Sequence, residues 1–191
     1  MSLEMRIGVD CDDVLADFVG AYVQYRNKKY GTNISKEDIV SWHMEDIFNS
    51  SSEEISKEML ELQLSNFYRH LTPYKDARDV MEQLQESGHT LYIITSRINA
   101  SDTMVWLRRH KIPYDKVFSV QDKSKVFKSL DLDYMIDDRP RHINQAKDLG
   151  IQCLLMSQPW NEQIKEERLI KRVHNWNDIH RAIGYPILYK G

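Results

Sequence analysis

Arg6-Ile7-Gly8-Val9-Asp10-Cys11-Asp12-Asp13-Val14-Leu15 is a short apolar run that breaks into three carboxylates within four residues. A run this short and β-branched, without helical period, reads as a buried strand, and its carboxyl end is loaded with acid. Working outward, segments 91–95, 117–120, 134–136 and 152–156 have the same aliphatic character. Between them lie segments of helical character at 75–87, closed by Gly88, at 102–110, at 124–130, and at 140–149, opened by Pro140 and closed by Gly150. Pro at a first helical position and Gly just past the last are the expected punctuation. Strands alternating with helices predict a doubly wound parallel sheet, the α/β class.

The stretch from 10 to 90 breaks this rhythm, because one crossover helix needs far fewer residues. It reads as an all-helical insertion: 14–30 stopped by Gly31, 36–48 after a Ser35/Asp38 capping pair, and 53–70 after Ser51/Glu54. The expected organisation is therefore an α/β core of 1–16 and 75–191 with a small helical cap of 17–74 inserted after the first strand.

Composition excludes several classes. With 191 residues, 41% hydrophobic and 29% charged, the chain suits one core with an appendage rather than a disordered or membrane protein. A formal charge of -3 gives no basic footprint for nucleic acid, and no apolar run is long enough to span a bilayer. No charged-then-apolar leader opens the sequence, and its two cysteines, Cys11 and Cys153, are too few for a disulfide framework. Buried free thiols in a cytoplasmic protein are expected, and a homodimer is allowed. The seven histidines show no metal-ligand spacing.

In doubly wound sheets ligands bind outside the carboxyl ends of the strands. The residues there are Asp10 to Asp13, Thr95-Ser96-Arg97, Asp122-Lys123 and Asp137-Asp138-Arg139. Carboxylates crowded in this way need a cation, and Mg2+ fits oxygen ligands. The same ion shields an incoming phosphate from a carboxylate nucleophile. Asp10 is the candidate nucleophile and Asp12, two residues on, the general acid and base. Thr95, Ser96 and Lys123 supply donors to phosphoryl oxygens, with Lys125 a rival for the lysine role. The metal set is Asp10, Asp12 (through its carbonyl) and Asp137.

This order of motifs resembles the haloacid dehalogenase-like (HAD) phosphatase superfamily over about residues 6–139. Val9 to Phe18, Thr95-Ser96 and Ile136 to Pro140 further resemble the 5'(3')-deoxyribonucleotidase family of type C nucleotidases. The resemblance implies a Mg2+-dependent phosphatase acting through an aspartyl-phosphate on nucleoside monophosphates, with no nucleic-acid or membrane partner. It places Phe18 and Arg139 at the substrate; Arg97 beside the Thr-Ser pair and Trp42 in the cap are further candidate substrate contacts. Two positions depart from it: Asp13 stands where eukaryotic members usually have Gly, and Arg97 where Pro often follows Thr-Ser. Residues 158–161 either line the pocket or turn the chain. Two other readings remain: a phosphatase for another small metabolite, and a phosphoacceptor receiver domain.

Overall fold

Among the described residues six short runs form one parallel sheet: β1 (Arg6–Val9), β2 (Thr90–Thr95), β3 (Lys116–Ser119), β4 (Tyr134–Asp137), β5 (Gln152–Met156) and β6 (Ile170–Val173). The computed structural model describes residues 4–184, so 1–3 and 185–191 of the expected core lie outside the described residues. Strand order is 3-2-1-4-5-6, with β1 at the centre between β2 and β4. That order has its switch point beside β1, and it is not the 2-1-3-4-5 order of receiver folds.

Side chains alternate between two apolar layers, as the twofold period of a strand requires. Ile7, Val9, Leu91, Ile93 and Ile136 join Trp106 and Trp176 on one face. Ile94, Met135, Cys153 and Leu155 meet Phe127 and Ile143 on the other. The covering helices are α4 (Ala77–Glu86), α5 (Ala100–Arg109), α6 (Lys123–Leu130), α7 (Pro140–Lys147) and α8 (Trp176–Gly184). Gly8 is required by packing, since a Cβ there would stand 2.8 Å from both Leu132 Cδ1 and Met135 Sδ. β6 and α8 had no counterpart in the sequence reading. β6 is an edge strand reading Ile-Lys-Arg-Val, whose charged middle hides the pattern.

The insertion is helical but more broken than its pattern predicts. α1 (Phe18–Tyr30) starts at the cap residue Asp17 rather than at 14, because Leu15 N and Ala16 N both donate to Cys11 O in a tight turn. The expected helix at 36–48 is instead a 3-10 turn, Lys36–Asp38, followed by irregular chain and a single turn, α2 (Glu45–Phe48). The Ser35/Asp38 box is present but caps only that turn, after which Ile39 and Met44 dive into the core. The segment at 53–70 divides into α3 (Ser52–Leu64) and a 3-10 turn, Phe67–His70. Ser65 ends α3 by donating its hydroxyl to Leu62 O and accepting from Phe67 N.

Entry to and exit from the insertion are bound together. Asp17 N donates to Thr72 O at 2.9 Å and Tyr74 N to Leu15 O at 2.8 Å. Among the described residues no helix is long and apolar enough to cross a membrane.

Candidate active site

Because β1, β2 and β4 are neighbours, the residues at their carboxyl ends fall side by side. Asp10 follows β1, and its N–H donates to Ile136 O at 2.9 Å. Thr95 ends β2 and Asp137 ends β4. Lys123 opens α6 and sends its ammonium between two of these acids, 2.8 Å from Asp10 Oδ1 and 2.8 Å from Asp137 Oδ2. Lys123 and Asp137 are both 0% exposed, whereas Lys125 points to solvent. Cys11 N donates to Asp10 Oδ1, Arg139 N donates to Asp137 Oδ1, and His142 Nδ1 lies 3.0 Å from Asp137 Oδ2.

Four carboxylates, Asp10, Asp13, Asp137 and Asp138, are buried here. Burial, reinforced by the charge of Asp137, pushes the Asp10 carboxyl up despite the pull of Lys123. Asp138 is pushed well up by burial and by its acidic neighbours. Burial alone would raise Asp137 too, but Lys123 and His142 outweigh it and hold that carboxyl low. Burial works against the charge on Lys123, and the two carboxylates more than restore it. Asp10 and Asp137 thus share one ammonium, and the donors they offer are hard oxygens. A divalent cation such as Mg2+ fits that set. Candidate ligand atoms of Asp10, Asp137 and His142 lie within 4.8 Å of one another.

The Asp12 carboxylate is not in that group. Arg97 grips it, with Nη2 at 2.6 Å from Oδ1 and Nε at 3.1 and 3.2 Å from Oδ1 and Oδ2. The Arg97 side chain is only 3% exposed and is stacked 4.6 Å from the Tyr68 ring centroid. Arg97, expected at the substrate, lines the chamber between cap and core while its Nε and Nη2 hold Asp12. Thr95 is buried and its hydroxyl accepts from Arg97 N, while Ser96 is half-buried at the floor of the crevice.

Asp13 has φ +57°, the left-handed region where Gly is at ease. Its carboxylate accepts from Val19 N and from Lys36 Nζ at 3.0 Å, and burial pushes it up to about 7 against the pull of Lys36. Lys36 also reaches Asp17 and the Tyr74 hydroxyl, tying cap to core. Residues 158–161 both turn the chain and support the site. Gln158 Nε2 donates to Asp13 O, Trp160 Nε1 to Asp138 Oδ2 and Asn161 Nδ2 to Asp138 O. Asp122 stands apart from the acidic cluster and caps α6 by accepting from Ser124 N.

Between cap and core lies a chamber of about 650 Å³. Phe18, Ile55, Met59 and Tyr68 give it apolar walls, and Asp12, Ser96 and Arg139 line its core side. Phe18 stacks 5.4 Å from Tyr68. Arg139 pairs with neither Asp13 nor Asp138; its guanidinium sits 3.7 Å from the centroid of Trp42, which meets Trp160 edge-on at 5.6 Å. Sequence reasoning missed Lys36, Tyr68 and the contact of His142 with Asp137. The signal for His142 was its place in the first turn of α7, five residues after Asp137.

A family profile described as 5' nucleotidase, deoxy (pyrimidine), cytosolic type C protein matches residues 4–187. The chain belongs to this family. A 5'(3')-deoxyribonucleotidase of Bacillus subtilis is 26% identical over 183 residues, covering 93% of this chain and 97% of its own. A nucleotidase of Clostridium acetobutylicum is 22% identical, with 94% of each chain covered. Among solved structures, a haloacid dehalogenase-like family protein from Streptococcus pneumoniae superposes with a TM-score of 0.64 at 19% identity, covering 94% of this chain and 98% of its own. The L-2-haloacid dehalogenase of Xanthobacter autotrophicus gives 0.62 at 15% identity, with 95% and 99% covered. The fold is that of the HAD hydrolases, and the protein is a phosphoric monoester hydrolase of the nucleotidase type. Family and strand order together overturn the receiver-domain reading.

Proposed function

We propose that the protein releases phosphate from (deoxy)nucleoside monophosphates, with Asp10 as nucleophile and Asp12 as acid and base. The observation that carries this reading is Lys123, buried and bridging Asp10 to Asp137 across adjacent strand ends. Both described hydrogen bonds to Asp10 fall on Oδ1, which leaves Oδ2 to attack phosphorus. As the bond to the sugar oxygen breaks, Asp12 gives that oxygen a proton, and an aspartyl-phosphate forms on Asp10. Asp12 then takes a proton from the water that cleaves it. Arg97 fixes the Asp12 carboxylate, and its grip falls mainly on Oδ1, which leaves Oδ2 the less engaged oxygen for proton transfer.

Ser96, Thr95 and Lys123 would supply donors to the equatorial phosphoryl oxygens. The Asp10 and Asp137 carboxylates with the Asp12 carbonyl would hold Mg2+, which when bound neutralises charge between phosphate and carboxylates. Phe18 and Trp42 offer aromatic faces to a base, and Arg139 a cation beside them. The buried thiols Cys11 and Cys153, both pushed up to about 12 by burial, are unreactive and suit a cytoplasmic setting.

Asp10→Asn is expected to abolish turnover while the far-UV circular dichroism stays unchanged, and chelation to remove activity reversibly. Wild-type-like turnover by Asp10→Asn would falsify the nucleophile. Preference for sugar phosphates over nucleotides in a phosphate-release panel would defeat the substrate assignment.

A further inference from the structure

The crevice forks at Ser96. Besides the apolar chamber, a second cavity of about 430 Å³ opens from the same floor, and the two share Trp42, Ser96, Gln121 and Arg139. The stacked pair of Trp42 and Arg139 stands between them. Their linings differ in charge. Asp12 and Glu45 border the apolar chamber beside Arg97 and Arg139, whereas among the described residues no Asp or Glu lines the second cavity. Its walls instead carry Arg139, Arg141, His142 and His43, with the amides of Gln121 and Gln163.

In a chain of net charge -3 this sorting calls for a ligand. Among the described residues, no carboxylate lies within ion-pair distance of Arg139 or Arg141. Asp122 feels the charge of Arg141, but its own oxygen is engaged in capping α6. Asp137 contacts His142 only through Nδ1, from inside the core. Pro140 lines the cavity as well, so the amino end of α7 adds its partial positive charge.

We infer that this second cavity takes a phosphate group carried elsewhere on the substrate, so that the preferred substrates are nucleosides phosphorylated on both sugar hydroxyls. The inference rests on the nucleotidase reading with Asp10 as nucleophile. With the base in the apolar chamber and one phosphate at Asp10, a second phosphate meets a mixed lining of Asp12, Glu45, Arg97 and Arg139 on that side and an acid-free, cationic one across the fork. Only one ester is cleaved. Water supplies an oxygen to the released phosphate, the phosphorus–oxygen bond to the sugar breaks, and the sugar oxygen leaves with a proton.

The test compares thymidine 5'-monophosphate with its 3',5'-bisphosphate by phosphate release in the presence of Mg2+, using the full chain. In the wild type, kcat/KM is expected to favour the bisphosphate about tenfold or more, the scale of a charge-assisted contact. Arg141→Gln, and separately His43→Gln, should shrink that preference to within about threefold and leave the monophosphate unchanged. Equal turnover of the two nucleotides by the wild type overturns the inference alone, and so does a preference that survives each of the two substitutions. Inorganic phosphate should inhibit wild type and Arg141→Gln alike, by competing at Asp10. Inhibition relieved by Arg141→Gln without any bisphosphate preference would make the cavity a site for free phosphate and refute the assignment. Turnover of neither nucleotide, with other phosphate esters cleaved, would overturn the nucleotidase reading and the inference together.

Discussion

Replacing Lys123 by methionine keeps the length of the side chain and removes the charge that two buried acids share. The ammonium lies 2.8 Å from each of Asp10 and Asp137, and none of the three groups has appreciable access to solvent. Breaking a buried pair by removing one partner costs about 3–5 kcal/mol, because the other charge is left uncompensated. Here two acids are left, and part of the strain is relieved when Asp10, already pushed up by burial, takes a proton. A loss of about 4 kcal/mol is therefore expected in metal-free buffer, which for a chain of this size lowers Tm by roughly 8–16 °C. Urea unfolding at pH 7.5 provides the assay, with Lys125→Met as control; that exposed side chain should change stability by less than about 0.5 kcal/mol. Mg2+ should restore more stability to Lys123→Met than it adds to the wild type, because an ion held by Asp10 and Asp137 replaces the missing charge. A loss within about 1 kcal/mol, or the same loss in both lysine variants, would refute the reasoning.

Arg97→Gln should lower turnover of a nucleotide about 10- to 100-fold while sparing p-nitrophenyl phosphate, whose leaving group needs little protonation; equal losses on both esters would remove Arg97 from the positioning of Asp12. Gly8→Ala drives a methyl into Leu132 and Met135, and a destabilisation of about 1–3 kcal/mol by urea titration is expected; an unchanged midpoint would show that the two sheet layers have slack. His89 has its ionisation lowered by burial, against the pull of Asp133 and Glu4. The folded state therefore resists a proton that the unfolded chain accepts near its usual pKa of about 6.5. Its contribution is fully present above that pH and is lost as the pH falls below it. The stability difference between wild type and His89→Gln should accordingly be larger at pH 7.5 than at pH 5.5, and a difference that grows in acid would sink the assignment.

Much of this architecture was legible because strands buried on both faces cannot hide. Ile7 and Val9, Leu91 and Ile93, and Tyr134 to Ile136 are continuous apolar runs with acid or hydroxyl at their ends, and each became a strand leading into the site. Spacing after the third strand favours Lys123 over Lys125, and the fold separates the two physically by burying one and exposing the other. The cap was harder. Its turns are decided by single hydroxyls and by Ile39 and Met44 plunging inward, events with no period to read. Arg97 shows a related limit: proximity along the chain to Thr95 and Ser96 suggested the substrate, and it does line the chamber, but nothing in the spacing announced that its guanidinium folds back onto Asp12, 85 residues distant in sequence. Contacts of that kind depend on which rotamer the surrounding Tyr68 and Trp106 permit.

The paired backbone bonds where residues 15–17 meet 72–74 have a consequence for how such proteins diversify. Two stretches of chain stitched together at the threshold present the α/β platform with a closed doorway, whatever is built beyond it. A lengthened, shortened or wholly exchanged lid leaves the platform's own folding nearly undisturbed, since the ends to be joined are already held in register. Selection can thus remodel what is recognised without reopening the question of how the phosphorus is attacked.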